Sequence, residues 1–328
     1  LKIQTVSLTI FLAAVSLLQA QQPYKRILKL MGSRFEITVV ANDSLQANQH
    51  IDIAVKEIAR IETLISSWDP NSQTSEINRN AGIKPVKVDQ ELFELIERAI
   101  GISKLTDGAF DISYASMDNI WKFDGSMTQM PTEEEIKNSV KKVGYQNIEL
   151  DKTKNTVFLK NKGMKIGFGA IGKGYAADKA KNLLIKENVP AGIINASGDM
   201  NTWGKQTNGE PWKVAIINPF DKSKAFGMLP ILNGAVVTSG NYEKFVTFNG
   251  KRYAHIIDPR TGYPTTGILS VTVFAPKAEL ADALATAVFV LGKEVGLDRI
   301  NQLPNVECII VDEKGNLLKS NNIKIETK

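Results

Sequence analysis

The spacing of apolar residues changes along this chain, and that change constrains the fold more than any single motif. In the first half they recur at helical intervals. Asp43-Ser44 can cap a helix that places Ala54, Ile58, Ile61 and Ile65 on one face, and a second helix carries Leu92, Leu95, Ile96, Ala99 and Ile102. Thr132 with Glu135 reads as the capping box of a third, ending near Gly144. From about residue 148 the apolar runs shorten. Residues 148–150, 157–159 and 165–168 read as strands, then a helix from about Gly172 to Glu187, then strands near 192–195 and 212–217. Asn249-Gly250 is a hairpin signal between residues 245–248 and 253–257. A last long helix spans about 278–291, before a closing strand. One early strand pattern, residues 26–40, is broken at Met31-Gly32, where glycine permits a bulge or a close backbone approach. Helices first and strands second argue against a regular βαβ repeat. They predict an α+β fold, a helix-rich amino-terminal half packed on a strand-rich carboxy-terminal half.

Length sets the scale. The 328 residues suit two domains or one large one, with a weak boundary near 125–145, no internal repeat and no low-complexity linker. The balance of 40 Lys+Arg against 35 Asp+Glu gives +5, and no basic run exceeds two residues, so nothing predicts a nucleic-acid or lipid patch. The single cysteine, Cys308, excludes an internal disulfide and a CxxC metal site; it reads as a buried strand residue within 306–311. With two histidines, His50 and His255, a metal here should be a hard ion held by oxygen. His50, beside Gln49 on an amphipathic helix, reads as solvated.

Lys2 precedes an uncharged run of about thirteen residues, 6–18, and Leu18-Gln19-Ala20 then meets Gln21-Gln22-Pro23. A basic start, an apolar stretch shorter than the roughly twenty residues of a spanning helix, and a small residue at the junction predict a signal peptide over 1–20, with 21–328 as the mature chain. A buried amino-terminal helix and an uncleaved anchor are the alternatives. No cysteine lies near the junction, so a lipoprotein anchor is not expected, and the protein should reach the periplasmic or cell-envelope side of the inner membrane.

Four clusters carry chemistry-bearing residues. Residues 167–178 place Gly167, Gly169, Gly172 and Gly174 with Lys173 where a strand gives way to a helix. Such glycines let backbone amides approach a phosphate at a helix start, or serve only tight packing of a strand–turn–helix junction. The GxxxxGK[ST] spacing is absent, and Asp178 comes too early for a dinucleotide fingerprint. On the Ala-rich helix, Asp282 and Thr286 are one turn apart on a face otherwise apolar. A cation such as Mg²⁺ would satisfy that carboxylate; the alternative is a partly exposed Asp and a Thr bonded back to its own helix. His255 runs into the Asp258-Pro259-Arg260-Thr261-Gly262 turn, as an acid–base group or as a satisfied structural histidine. Ser66–Pro70 and Thr106–Asp111 end two helices with turn residues, and their Trp68 and Phe110 can flank a planar ring or pack as loop aromatics.

Taken in order, these segments resemble the ApbE family of FAD:protein FMN transferases. The motifs are MGSRF at 31–35, SSWDPNSQTSEINRN at 66–80 and TDGAFDIS at 106–113. They continue with GFGAIGKGYAAD at 167–178, INASGDM at 194–200, HIIDPRTGYP at 255–264 and ELADALATAVFVLG at 279–292. The resemblance covers about residues 25–315 and implies an ApbE-like fold with Mg²⁺-dependent transfer of FMN from FAD to an acceptor threonine, AMP leaving. Acceptors would be exported or membrane-facing subunits of redox complexes, such as NADH:quinone reductase or Rnf-type complexes. It implies metal ligation by Asp282, Thr286 and the Ala170 carbonyl, and flavin-nucleotide contacts from Met31, Trp68, Ala109, Phe110, Asp111, Lys173 and the Ile257-Asp258 turn. His255 is then the candidate base, with Asp258 and Asp199 as rivals. Two departures stand out: Ala196-Ser197 where many members carry a glycine pair, so that positive φ there would be costly, and Gly172 where many carry alanine. An FAD pyrophosphatase using the same cation, or a non-catalytic flavin or thiamine-related binding protein, would fit the same residues.

Overall fold

The computed structural model describes residues 21–241 and 245–323; the expected signal segment, 1–20, lies outside the described residues. Strands β1 (Gln22–Leu30) and β2 (Ser33–Ala41) form a hairpin, where one interrupted strand was expected. Met31 and Gly32 both take positive φ, 48° and 68°, the two-residue turn whose twist matches antiparallel strands. Helix α1 (Ser44–Ile65) is capped by Asp43, which accepts from the Gln46 amide at 2.8 Å, and buries Ala54, Ile58, Ile61 and Ile65 as the periodicity requires. His50 on α1 is half-buried, less solvated than its neighbours suggest. A short α2 (Gln73–Arg79) leads through β3 (Val86–Lys87) to α3 (Gln90–Leu105).

The Thr132/Glu135 capping box is present on α4 (Glu133–Ser139), but that helix stops at Ser139, before the expected Gly144. Strands β4 (Ile148–Asp151) and β5 (Thr156–Leu159) join β3 in a small sheet. Then come α5 (Gly172–Lys186), β6 (Gly192–Ala196), β7 (Asp199–Trp203) and the ribbon β8 (Trp212–Asn218) with β9 (Asp221–Ile231). Strand β10 (Gly234–Gly240) precedes the hairpin β11 (Phe245–Phe248) and β12 (Lys251–Ala254), turned at Asn249-Gly250 with φ of 50° and 74°. The chain closes with β13 (Ile268–Ala275), α6 (Ala278–Leu291), α7 (Lys293–Asn301), β14 (Glu307–Asp312) and β15 (Leu317–Lys319).

An eight-stranded antiparallel sheet, ordered β1-β2-β6-β7-β10-β13-β14-β15, organises the molecule. It unites the two halves of the sequence, because β2 from the first pairs with β6 from the second. Alternate side chains serve different cores. Phe35, Ile37, Val271, Val273, Cys308 and Ile310 meet the helices α1, α5 and α6 on one face. Phe274 and Ile309 face the β8–β9 ribbon through Ile216 and Leu229 on the other. Cys308 is a fully buried strand residue, its thiol pushed up to about 12 by burial and then by the neighbouring Glu307 charge. Burial of α6 dominates its stability: Leu284, Val288 and Phe289 are enclosed, each contributing on the order of 1.5–3 kcal/mol. Among the described residues no helix is long and apolar enough to cross a membrane.

One expected strand is absent. Residues 165–168 run outside every sheet, their backbone bonded mainly to side chains. Strand β12 also stops at Ala254, leaving His255 and Ile256 in an irregular segment before the Ile257–Pro264 bridge.

Candidate active site

Packing of α5 against α6 builds the centre of the site. A Cβ added at Gly174 would lie 2.2 Å from the Ala278 carbonyl oxygen, so only glycine admits this approach. The same approach lets the Gly174 amide donate to the Asp282 carboxylate at 3.2 Å. Asp178, one turn further along α5, accepts from the amides of Ala278 (3.0 Å) and Glu279 (2.9 Å) and from the Asn201 side chain (2.6 Å). It therefore caps α6 from a neighbouring element, since Lys277 at the helix start offers no acceptor. The glycine-rich segment thus serves packing at Gly174, while Gly167 and Gly169 line a cleft of about 1290 Å³.

That cleft gathers, besides these glycines, ten residues given catalytic, binding or metal roles by the resemblance: Trp68, Ala109, Phe110, Asp111, Ala170, Lys173, His255, Ile257, Asp282 and Thr286 all line it. Asp282 is 4% exposed and Asp199 3%; the Lys173 ammonium is ion-paired with Asp199 and is near enough to Asp282 for their charges to interact. Burial raises the Asp199 carboxyl to about 7, opposed by Lys173 and reinforced by Asp282. Burial likewise raises Asp282, against the pull of Lys173 and the Gly174 amide. Lys173 pays the same burial cost, but Asp282 and Asp199 outweigh it and hold the ammonium charged.

The buried Asp282 disposes of the alternative in which that carboxylate is partly exposed. Nor does Thr286, among the described residues, bond back to its own helix. The Gly174 amide, which ordinary helical pairing would direct at the Ala170 carbonyl, goes to Asp282 instead, so no described amide donates to Ala170. One carboxylate, one hydroxyl and one carbonyl oxygen therefore remain on the cleft wall, a donor set that fits a hard divalent cation. Among the described residues no group of three or more His, Cys, Asp or Glu side chains is assembled. A cation held by one carboxylate takes further oxygens from its substrate, as Mg²⁺ does with phosphates.

The remaining residues divide. Trp68 is 93% exposed at the cleft edge, whereas Ala109 and Phe110 are buried in the core behind it. Asp111 is engaged locally: it accepts from the Ser113 amide and hydroxyl, both 2.7 Å, and from the Tyr145 amide at 2.8 Å. His255 packs edge-on to Phe123, with ring centroids 6.5 Å apart. Met31 and Asp258 are not on the cleft lining. Met31 sits in the β1–β2 turn, its amide bonded to Glu62 at 3.0 Å. Asp258 binds Arg260 through both carboxylate oxygens, at 2.9 and 2.8 Å, closing its own turn. Ser197 does take positive φ, 55°, in the β6–β7 turn, and its amide and hydroxyl both bond to the Arg34 carbonyl, which offsets the strain. Gly172 fills against Ile65, whose Cδ1 would lie 2.7 Å from an added Cβ.

Sequence reasoning gave no site role to Asn78, although it lies within the 66–80 motif, nor to Tyr114, Lys165 and the stretch Thr238–Gly240, all of which line the cleft. Thr238–Gly240 ends β10, a strand buried on both faces that shows no alternation and no titratable group.

The ApbE family pattern matches residues 31–310. The chain is 32% identical over 293 residues to an FAD:protein FMN transferase of Klebsiella pneumoniae (strain 342), covering 89% of this chain and 90% of that one. It is 31% identical over 265 residues to an FAD:protein FMN transferase of Treponema pallidum, covering 76% and 73%. The crystal structure of the ApbE protein from Thermotoga maritima matches with a TM-score of 0.82 and 32% identity, over 92% of this chain and 97% of that chain. The flavin transferase ApbE from Vibrio cholerae matches with a TM-score of 0.79 and 25% identity, over 92% and 98%. With its sequence motifs, its sheet and its cleft all in agreement, the chain belongs to the ApbE family.

Proposed function

We propose that this protein is an enzyme that transfers FMN from FAD to a threonine hydroxyl of an acceptor protein, releasing AMP. The observation that carries this reading is the cleft wall formed by Asp282, Thr286 and the Ala170 carbonyl beside Lys173, in a chain similar over most of its length to FAD:protein FMN transferases. Mg²⁺ bound by those three oxygens would neutralise charge gathering on the pyrophosphate. The cleft itself has room for a dinucleotide, and Lys173 supplies fixed positive charge next to it. In the transfer, the threonine Oγ forms a bond to the FMN-side phosphorus as the bond from that phosphorus to the bridging oxygen breaks. AMP leaves with the electron pair, and the threonine proton passes to a base. His255 is the base this geometry favours, because it lines the cleft, whereas Asp258 and Asp199 do not.

The acceptor class is the one the family resemblance implies, an exported or membrane-facing subunit of a redox complex, and residues 1–20, read as an export signal, agree with a periplasmic site of action. Incubation with FAD, Mg²⁺ and a threonine-bearing acceptor domain tests the reading. Flavin fluorescence that stays with the denatured acceptor supports transfer. Free FMN and AMP without labelled acceptor would make the protein a pyrophosphatase, and intact FAD would leave only binding.

A further inference from the structure

The segment that carries Ala170 into the cleft has no sheet to hold it. Ile166 is fully buried, yet no strand pairs with it. Its amide donates to Asn78 Oδ1 at 2.8 Å, and its carbonyl accepts from Asn78 Nδ2 at 3.0 Å. One asparagine side chain thus replaces both rungs a neighbouring strand would supply. Next to it, the Ser116 hydroxyl accepts from the Lys165 amide at 2.7 Å and donates to the Lys165 carbonyl at 2.8 Å. The Gly167 amide then donates to the Ile112 carbonyl at 2.9 Å, and the chain reaches Ala170 and α5.

We propose that Asn78 is a positioning residue for the cleft: by pairing with both backbone groups of Ile166 it fixes the path of residues 165–170, and through them the Ala170 carbonyl. Asn78 belongs to α2, which also contributes Ser75 and Arg79 to the cleft lining, so the clamp ties two walls of the cleft together. An apolar residue at 78 leaves a buried N–H and a buried C=O without partners, which is unfavourable. The segment relieves that cost by shifting toward water, and the open cleft is the side on which water is available. Gly167 and Gly169, lacking side chains, offer little resistance to such a shift, so the displacement reaches the Ala170 oxygen.

The inference rests on the transferase reading only for what the cleft binds; the clamp itself is testable apart from it. Asn78→Leu removes both bonds while keeping the branching and the number of side-chain heavy atoms, and Asn78→Asp keeps the acceptor for the Ile166 amide while losing the donor. Amide hydrogen exchange on the full chain reports the clamp directly. We expect exchange at Ile166 and Gly167 to accelerate about tenfold or more in Asn78→Leu, and less in Asn78→Asp. Mg²⁺ titrations, read as FAD binding by flavin fluorescence and as FMN formation, report the consequence. We expect half-saturating Mg²⁺ and the KM for FAD to rise about tenfold in Asn78→Leu, with a smaller change in kcat and with Asn78→Asp between it and the parent. Faster exchange with unchanged Mg²⁺ and FAD dependence would make Asn78 merely structural and overturn the proposal. Unchanged exchange would remove the clamp itself. If Asn78→Leu does not fold, Asn78→Asp decides by the same criteria. A parent protein that binds FAD with Mg²⁺ but makes no FMN product fails the transferase reading alone, and the binding titration still judges Asn78.

Discussion

At the residue scale, the site depends on groups whose value comes from position, and two glycines show it. Gly174→Ala would force a Cβ into the Ala278 backbone, which cannot yield as a side-chain tip can. Urea unfolding should show a loss of about 3 kcal/mol or more. Gly172→Ala meets only the end of Ile65, so its stability should change by less than about 1 kcal/mol in the same assay. Glu91 offers a test in pH. Partial burial opposes its charge, but hydrogen bonds from Arg60, Lys179 and Tyr175 win and hold the carboxyl down to about 2, below its ordinary 4.5. The stabilisation is complete above pH 4.5 and disappears as pH falls toward 2. The Tm difference between parent and Glu91→Gln should therefore be largest near neutral pH and shrink through that window. Asp282, Thr286 and Lys173 were legible in the sequence because a carboxylate on an apolar helix face and a lysine among glycines are conspicuous. The roles of Asn78, though it stands within the 66–80 motif, and of Ser116 were not, since a polar residue bonding to distant backbone leaves no local pattern.

At the scale of elements, α6 is the instructive case. Its limits, Ala278 to Leu291, follow from the run of apolar residues and from Gly292, which takes a φ of 83° after it. Its capping does not, because the cap is Asp178, a hundred residues earlier in sequence. Asp178→Ala should cost on the order of 3 kcal/mol by chemical denaturation, as two buried amides and the Asn201 side chain lose their acceptor. The loss should extend to FAD turnover, because the start of α6 sets the direction from which Asp282 enters the cleft. Strands were legible where one face is buried, as in β6 and β8, or where a hairpin turn marks them. The central β10 and β13 are covered on both sides, by α6 and by neighbouring structure, so the alternation that announces a strand is missing.

At the scale of the molecule, the helix-rich and strand-rich halves were visible in the sequence, but their interlocking was not. The β2–β6 ladder and the packing of α1 on α5 join distant segments, and no local pattern encodes that choice of partner. The result places chemistry where the ends of β10, α5 and α6 converge on one cleft, with His255 entering from the loop after β12. His255→Ala should lower kcat by about 10²- to 10⁴-fold with a smaller change in the KM for FAD, measured by steady-state FMN transfer. The most direct test of the whole account is the intact mass of an acceptor domain after incubation with FAD, Mg²⁺ and either the parent protein or Asp282→Ala. The account predicts that the acceptor gains the mass of one phosphoester-linked FMN on its threonine with the parent and none with Asp282→Ala. An acceptor left unchanged by the parent, or labelled equally by both, would contradict it.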